Sequence, residues 1–566
     1  MRAVTTRHGA PAARAPSAPL QIIPLGGLGE FGLNCTVLRH GTDLIVVDIG
    51  VMFPDDQVLG VDVIIPELSW LFERIKEIRA IVLTHGHEDH VGALPYLFDK
   101  ARVPIYGSDF TLGLAARKLK EHSLPHDRLL KPVKAGDEVT LGPFTLEFIQ
   151  VTHSIPGTLA LAVKTPAGTV IHSADFKMDQ TPVDGRTFDF QSFSYYGDQG
   201  VLALLSDSTN AEVEGFSGSE RVVGAAFDAL FRRAPARLLF STFSSNVHRI
   251  QQVIDLAATY RRRVALVGSS MVSTATVAQE LGHLKVPPGV LIDAQDVRRM
   301  DPRKVAIVAA GSQGEPMSSL SRIALDDHRD VTIEEGDIVL ISARAIPGNE
   351  RSINRVINHI YRRGAEVIFG GAAPYHVSGH AGQEELKILL TLTRPRFFVP
   401  IHGEARQLYS HARLAERTGL PRERILLAES GDILEFDGKS ARHAGKVRAG
   451  RVLIDGSLDA VEEIVVRDRR HISEGGIVLA IVAIDKQSGR MAGAPEIVSR
   501  GFVLEEAKGD LLREATRVVR QSVDAATPGE RADRGVLKAM IQQDLKRFFR
   551  KRLDKRPMIM PVVVET

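Results

Sequence analysis

At 566 residues, the chain is longer than one hydrophobic core can organise, so two or three domains are expected. Hydrophobic residues at 44% and charged residues at 25% describe a folded protein, and no window nears the ~18 unbroken apolar residues that a membrane span needs. The net charge of +2 marks no global polyanion binder, and the one cysteine, Cys35, excludes an intramolecular disulfide and fits a reducing, cytoplasmic setting.

Residues 1–20, rich in Ala, Pro and Arg and without acidic residues, lack the apolar segment of a secretory signal; a disordered tail is expected, although an organelle transit peptide shares that composition. From residue 21 the pattern reads as strand, glycine turn, strand, and then "LIVVD", a short apolar strand ending at Asp48. "LFERIKEIR" predicts an amphipathic helix, and "AIVLT" a strand that delivers "HGHEDH". Short strands follow over 138–154 and 160–176, the latter a hairpin turning at "PAG", and "GVLALLSDSTNA" adds a buried strand ending at Ser206 and Asp207. After about 220, helices and strands alternate, which predicts a parallel sheet. Near 371 a polar, glycine-containing stretch returns ("YHVSGHAG"), followed by the strand "RFFVPIHGE". The domain layout expected is 21–220 and 371–440 as two parts of one domain, 221–370 inserted, 441–464 a linker, and 465–566 a small terminal α/β domain.

Basic runs at 260–263, 467–470 and 545–556 read as solvated helical faces. "AAGSQGEP" (309–316) lacks the GK[ST] ending of a nucleotide-binding loop and is expected to pack between the main domains or touch RNA.

The densest chemistry follows Thr84. In an extended strand end, positions i and i+2 point the same way, so His85 and His87 can grip one ion. Once the chain turns into a helix, Asp89 and His90 can reach a second ion. Imidazole and carboxylate donors suit zinc or manganese. Three more candidates, His153, Asp175 and His402, follow strongly apolar runs, where ligands can converge from one sheet edge. His172 and His376 lie close by and are expected to support the ligands or touch substrate.

These residues resemble the metallo-β-lactamase fold, an αββα sandwich. That resemblance implies two divalent ions: His85, His87 and His153 on one, Asp89, His90 and His402 on the other, Asp175 bridging, and Asp48 orienting the cluster. Two ions about 4 Å apart can make a nucleophile of water and attack a phosphodiester. The insertion, with Asp207 in "LSDSTN", His380 in "VSGHAG" and His402 in "PIHGE", resembles the β-CASP nucleases, and histidine at the last position favours RNA over DNA. His380 can protonate a departing 3′ oxygen while Asp207 keeps its ring charged. The bland alternative for Asp207 is a turn cap.

Longer stretches, "PLGGLGEFGLN", "LTHGHEDHVGALPY", "FSSNVHRIQQV", "GSQGEPMSSLSRIA", "SGHAGQEE" and "KRPMIMPVVVE", resemble the bacterial ribonuclease J family over roughly 20–566. The resemblance implies a 5′→3′ exoribonuclease that prefers 5′-monophosphate ends, with endonuclease activity besides, in mRNA decay and rRNA maturation. It also implies a homodimer or higher homo-oligomer, with single-stranded RNA as substrate and other RNA-decay proteins as candidate partners. The loops "HVSGH" (His376, Val377, Ser378, Gly379, His380) and "SSN" (Ser244, Ser245, Asn246) match the family's phosphate-contacting segments and have the composition of anion-binding nests. A DNA-directed nuclease, a small-ester hydrolase and a non-catalytic RNA-binding subunit stay open at this point.

Overall fold

The computed structural model of the chain describes residues 18–54, 58–346, 349–371, 373–456, 460–486, 488, 490–502, 505–553 and 556–566. Most of the expected tail, 1–17, lies outside the described residues, and the first strand already begins at Leu20. The chain forms two compact units, one from 1–52 and 65–451, the other from 53–64 and 452–566.

In the first unit, Leu20–Gly26 pairs antiparallel with Cys35–His40 on one side and Asp432–Phe436 on the other. Cys35–His40 continues to Asp43–Val47, and from there the sheet runs parallel through Ile78–Val82 and Ile105–Gly107. A second sheet stacks Glu138–Leu141, Phe144–Gln150, Leu159–Thr165 and Gly168–His172 antiparallel, then adds Val201–Asp207 and Phe397–Ile401 in parallel. Alternating apolar residues on the two facing surfaces, such as Ile22, Leu38, Ile45, Leu146, Phe148, Leu161 and Val399, interdigitate into one core. Helices Phe190–Gln199, Gln383–Thr393 and Ala405–Arg417 cover the outer face of the second sheet. This is the expected αββα sandwich.

Between Asp207 and Phe397 the chain builds a six-stranded sheet whose pairings are all parallel. Its strands, such as Leu238–Ser241 and Ile338–Ile341, are buried throughout because helices cover both faces. The second unit has its own core, where helices Glu505–Ala525 and Arg534–Leu553 pack on strands Glu496–Arg500, Ile477–Ile484 and Met558–Glu565.

Four local expectations are corrected. The helix over "LFERIKEIR" shrinks to one turn, Ser69–Phe72, and a 3₁₀ turn, Ile75–Glu77, because Ile78 must already enter the central sheet. The stretch 441–464 is more than a linker: Ala441–Lys446 extends the first sheet as an edge strand and Arg451–Ile454 is also extended. Within the basic run 260–263, Arg262 is buried and donates to the carbonyls of Ala234 and Ala236, so only part of that run is solvated. "AAGSQGEP" packs inside the inserted domain, where Gln313 holds the backbone of Arg344 and Ile346.

Candidate metal centre and catalytic pair

Each candidate donor sits where a strand of the sandwich stops. His85 and His87 follow Ile78–Val82, and His90 belongs to the short helix Glu88–Val91. His153, Asp175 and His402 follow Phe144–Gln150, Gly168–His172 and Phe397–Ile401, and Asp207 closes Val201–Asp207. The turn that carries Asp89 and His90 is strapped by its neighbours: Asn34, Ile49 and Val51 donate their backbone N–H groups to the carbonyls of Asp89, His90 and Glu88. Gly50 belongs to this strap because a Cβ there would lie 1.6 Å from the Asp89 carbonyl oxygen.

The seven donors fall into two sets. In the first, His87 Nδ1 lies 3.0 Å from His85 Nε2 and 3.2 Å from His153 Nε2, and Asp175 Oδ2 is 3.6 Å from His85 Nε2. In the second, His90 Nε2 and His402 Nε2 lie 3.3 and 3.5 Å from Asp175 Oδ2, and 3.6 and 3.4 Å from Asp89 Oδ2. Donors around a tetrahedral ion with bonds near 2 Å stand about 3.3 Å apart, so both sets have the spacing that a small divalent cation requires.

Tautomers tell the same story. His90 Nδ1 donates to Asp48 at 2.8 Å, His153 Nδ1 to the Gly379 carbonyl at 2.7 Å, and His402 Nδ1 to Thr209 Oγ1 at 2.7 Å. Thr84 Oγ1 donates to Asp48 at 2.7 Å and so accepts from His85 Nδ1 at 3.0 Å. In these four histidines the outer nitrogen is thus anchored as a donor and Nε2 faces the centre, whereas His87 turns its Nδ1 inward. Burial, reinforced by neighbouring imidazoles, lowers the pKa of His85, His87 and His153, that of His87 to about 4. Burial also opposes charge on His90 and His402, but the Asp175 carboxylate outweighs it and raises both, His90 to about 10. A carboxylate that draws protons onto its neighbours in this way would equally draw a cation.

Asp207 and His380 form a separate pair beside these sets. His380 Nδ1 donates to Asp207 Oδ2 at 2.8 Å, a hydrogen-bond distance that ties the two groups to each other rather than to one ion. The His380 ring lies 4.9 Å from that of His153 and 5.5 Å from that of His402, centroid to centroid. Burial disfavours charge on His380, yet the Asp207 carboxylate prevails and its pKa is raised. The other Asp207 oxygen takes the backbone N–H and hydroxyl of Thr209, so it also braces His402. Asp207 does cap a turn, and it pairs with His380 as well.

Around the remaining sequence candidates the picture is mixed. His172 Nδ1 accepts from the Ala174 backbone N–H at 3.1 Å and so shapes the turn before Asp175. Gly379 passes close enough to His153 that a Cβ would lie 2.8 Å from its Cε1. Ser378 Oγ accepts from Asn210, and Val377 and His376 lie against Arg249. The hydroxyls of Ser244 and Ser245 have no protein partner among the described residues, whereas Asn246 is buried and its side-chain oxygen caps helix Val247–Thr259. Asn34, Thr84, Thr209, Asn210 and Glu385 support the site without having been singled out from sequence. Glu385 is buried and accepts from the N–H groups of Met178, Ser217 and Gly382. Thr209 and Asn210 directly follow the Asp207 strand end, which is the one signal that pointed toward them.

A sandwich with such strand-end donors, interrupted by a parallel α/β insertion, defines a metal-dependent hydrolase of the metallo-β-lactamase fold with a β-CASP domain. Residues 28–202 match the metallo-beta-lactamase superfamily, 235–360 the "Ribonuclease J, beta-CASP domain", 371–426 the "Zn-dependent metallo-hydrolase RNA specificity domain", and 464–566 the "Ribonuclease J C-terminal domain". Ribonuclease J of Thermus thermophilus is 41% identical over 560 residues, covering 97% of this chain and 96% of that protein. Ribonuclease J2 of Bacillus subtilis is 39% identical over 548 residues, covering 96% and 98%. A crystal structure of a protein of unknown function from Enterococcus faecalis V583 aligns with a TM-score of 0.52 at 14% identity, over 74% of this chain and 100% of that one, a likeness of fold alone. The chain belongs to the ribonuclease J family and is a metal-dependent hydrolytic ribonuclease. Among the described residues, no helix is long and apolar enough to cross a membrane.

Proposed function

We propose that this ribonuclease degrades single-stranded RNA from the 5′ end, prefers a 5′-monophosphate, and also cuts internally, in mRNA decay and rRNA maturation. It would act in the cytoplasm as a homodimer or higher homo-oligomer. The observation that carries the reading is the Asp207–His380 pair lying against two donor sets that share Asp175.

His85, His87 and His153 would hold one divalent cation and Asp89, His90 and His402 another, with Asp175 common to both; imidazole-rich donors suit zinc, and manganese is the other candidate for turnover. When bound, such ions polarise the phosphate and make a nucleophile of water. The chain's own residues do the rest. Asp48, directly and through Thr84, keeps His90 and His85 turned inward. Asp207 holds His380 protonated, and His380 delivers that proton to the departing 3′ oxygen, a transfer worth roughly 10²–10⁴-fold in rate. The 244–246 and 376–380 loops receive the terminal phosphate with hydroxyl and backbone N–H donors.

Two RNAs of one sequence, bearing a 5′-monophosphate or a 5′-hydroxyl, test this with wild type, His85→Ala and His380→Ala under varied divalent metal. Mononucleotides released mainly from the monophosphorylated RNA, and lost in both variants, are expected. Cleavage indifferent to the 5′ end removes the phosphate pocket. Full activity in His380→Ala removes the acid.

A further inference from the structure

The two loops of the proposed phosphate pocket meet at one buried side chain. Arg249, in the first turn of helix Val247–Thr259, is 1% exposed. Its backbone N–H donates to Asn246 Oδ1 at 3.1 Å, which fixes the 244–246 loop. Its guanidinium crosses to the other loop, with Nη1 3.2 Å from His376 Nδ1 and Nη2 3.5 Å from the Val377 carbonyl. Nη1 also donates to the Ser342 carbonyl at 2.6 Å, and the Ser342 hydroxyl donates to the Tyr375 backbone carbonyl at 2.6 Å. The positive charge is balanced by Glu220, also buried, whose Oε1 lies 2.5 Å from Nη2.

A guanidinium has donors only and stays protonated. His376 Nδ1 can therefore only accept from it, which forbids the imidazolium and places the single ring proton on Nε2. Burial first, and then the Arg249 charge, hold the His376 pKa down to about 3. Among the described residues, Nε2 makes no hydrogen bond, and the residue is half-buried.

We propose that Arg249 is a positioning residue that fixes His376 as a neutral Nε2–H donor to the terminal phosphate of the RNA. The ligand in this inference rests on the phosphate-pocket reading above; the tautomer does not. With the Arg249 charge offset by Glu220, this part of the pocket selects a phosphate by direction and fit rather than by net charge, so added phosphate charge gains little there.

Two measurements decide it. Long-range proton–nitrogen correlation on the full chain labelled with ¹⁵N-histidine, with His376→Asn identifying the signal, should show Nε2 protonated and Nδ1 bare. A proton on Nδ1, or on both nitrogens, overturns the tautomer. Kinetically, glutamine can place an N–H where Nε2 stood, whereas asparagine offers Arg249 an acceptor but no such donor. His376→Asn should lower the kcat/KM preference for 5′-monophosphate over 5′-hydroxyl RNA about tenfold or more, the worth of one hydrogen bond to a charged group. His376→Gln should stay within about threefold of wild type. Equal losses in the two variants overturn the donor role. Arg249→Lys keeps the charge without the fork and should lose preference as His376→Asn does; if it does not fold, the two His376 variants decide alone. A wild-type protein without 5′ preference removes the ligand, and the spectrum then judges the tautomer separately.

Discussion

Asp48, Ala174 and His402 adopt left-handed backbone conformations, with φ of 59°, 52° and 55°, and each lies in or beside the donor cluster. Non-glycine residues seldom pay that conformational cost without a surrounding structure that imposes it. Here it turns the chain at a strand end so that a side chain faces inward. Side chains in this cluster also act through their hydrogen-bond partners, and Asp207, which closes the strand Val201–Asp207, tests this most directly. Asp207→Asn keeps the size and the Thr209 contacts but removes the charge that holds His380 protonated, so the single-turnover rate should drop roughly 10²-fold or more with metal content unchanged. A rate within threefold of wild type would reduce Asp207 to a turn cap. The donors were legible in the sequence because four of them crowd into "HGHEDH" after a strand and the other three follow largely apolar strand segments. Asn34, Thr84 and Asn210 were not, since a hydrogen bond across distant segments, such as Asn34 to the Asp89 carbonyl at 3.0 Å, leaves no periodic trace.

Among the elements, strands with a buried face were the easiest to foresee, and the all-parallel insertion followed from alternating helices and apolar strands. The helix expected after Leu71 failed because amphipathic spacing says nothing of how soon the next strand must start. The edge strand Ala441–Lys446 stayed hidden because its exposed face is polar and glycine-containing, so it reads as a loop. The strap 48–51 across helix Glu88–Val91 is the element contact on which the second donor set depends. Gly50→Ala should break it, because its Cβ would lie 1.6 Å from the Asp89 carbonyl oxygen and 2.7 Å from the His90 nitrogen, backbone that cannot give way without unseating the helix. A destabilisation of about 4 kcal/mol in urea is expected, together with loss of bound metal after gel filtration. Retention of a full metal complement would show the strap to be dispensable.

For the whole molecule, the donor sets draw on both sheets of the sandwich, so a cation held there ties the sheets together in addition to any part in hydrolysis. Chelation should abolish RNA hydrolysis and also lower Tm, because a ligand that binds only the folded state adds RT ln(1 + [L]/Kd) to its stability. Readdition of zinc or manganese should restore both, and a Tm indifferent to chelator would place the ions outside the folded framework.

The parallel pairing of Phe397–Ile401 with Val201–Asp207 brings His402 to the cluster only after about two hundred residues of insertion have been made. On a ribosome adding roughly 5–20 residues per second, the first six donors wait on the order of ten seconds or longer for the seventh. A nuclease under synthesis is tethered to an RNA, its own message. On the proposed assignment, the order of its segments leaves the cutting centre incomplete while most of that message is being read.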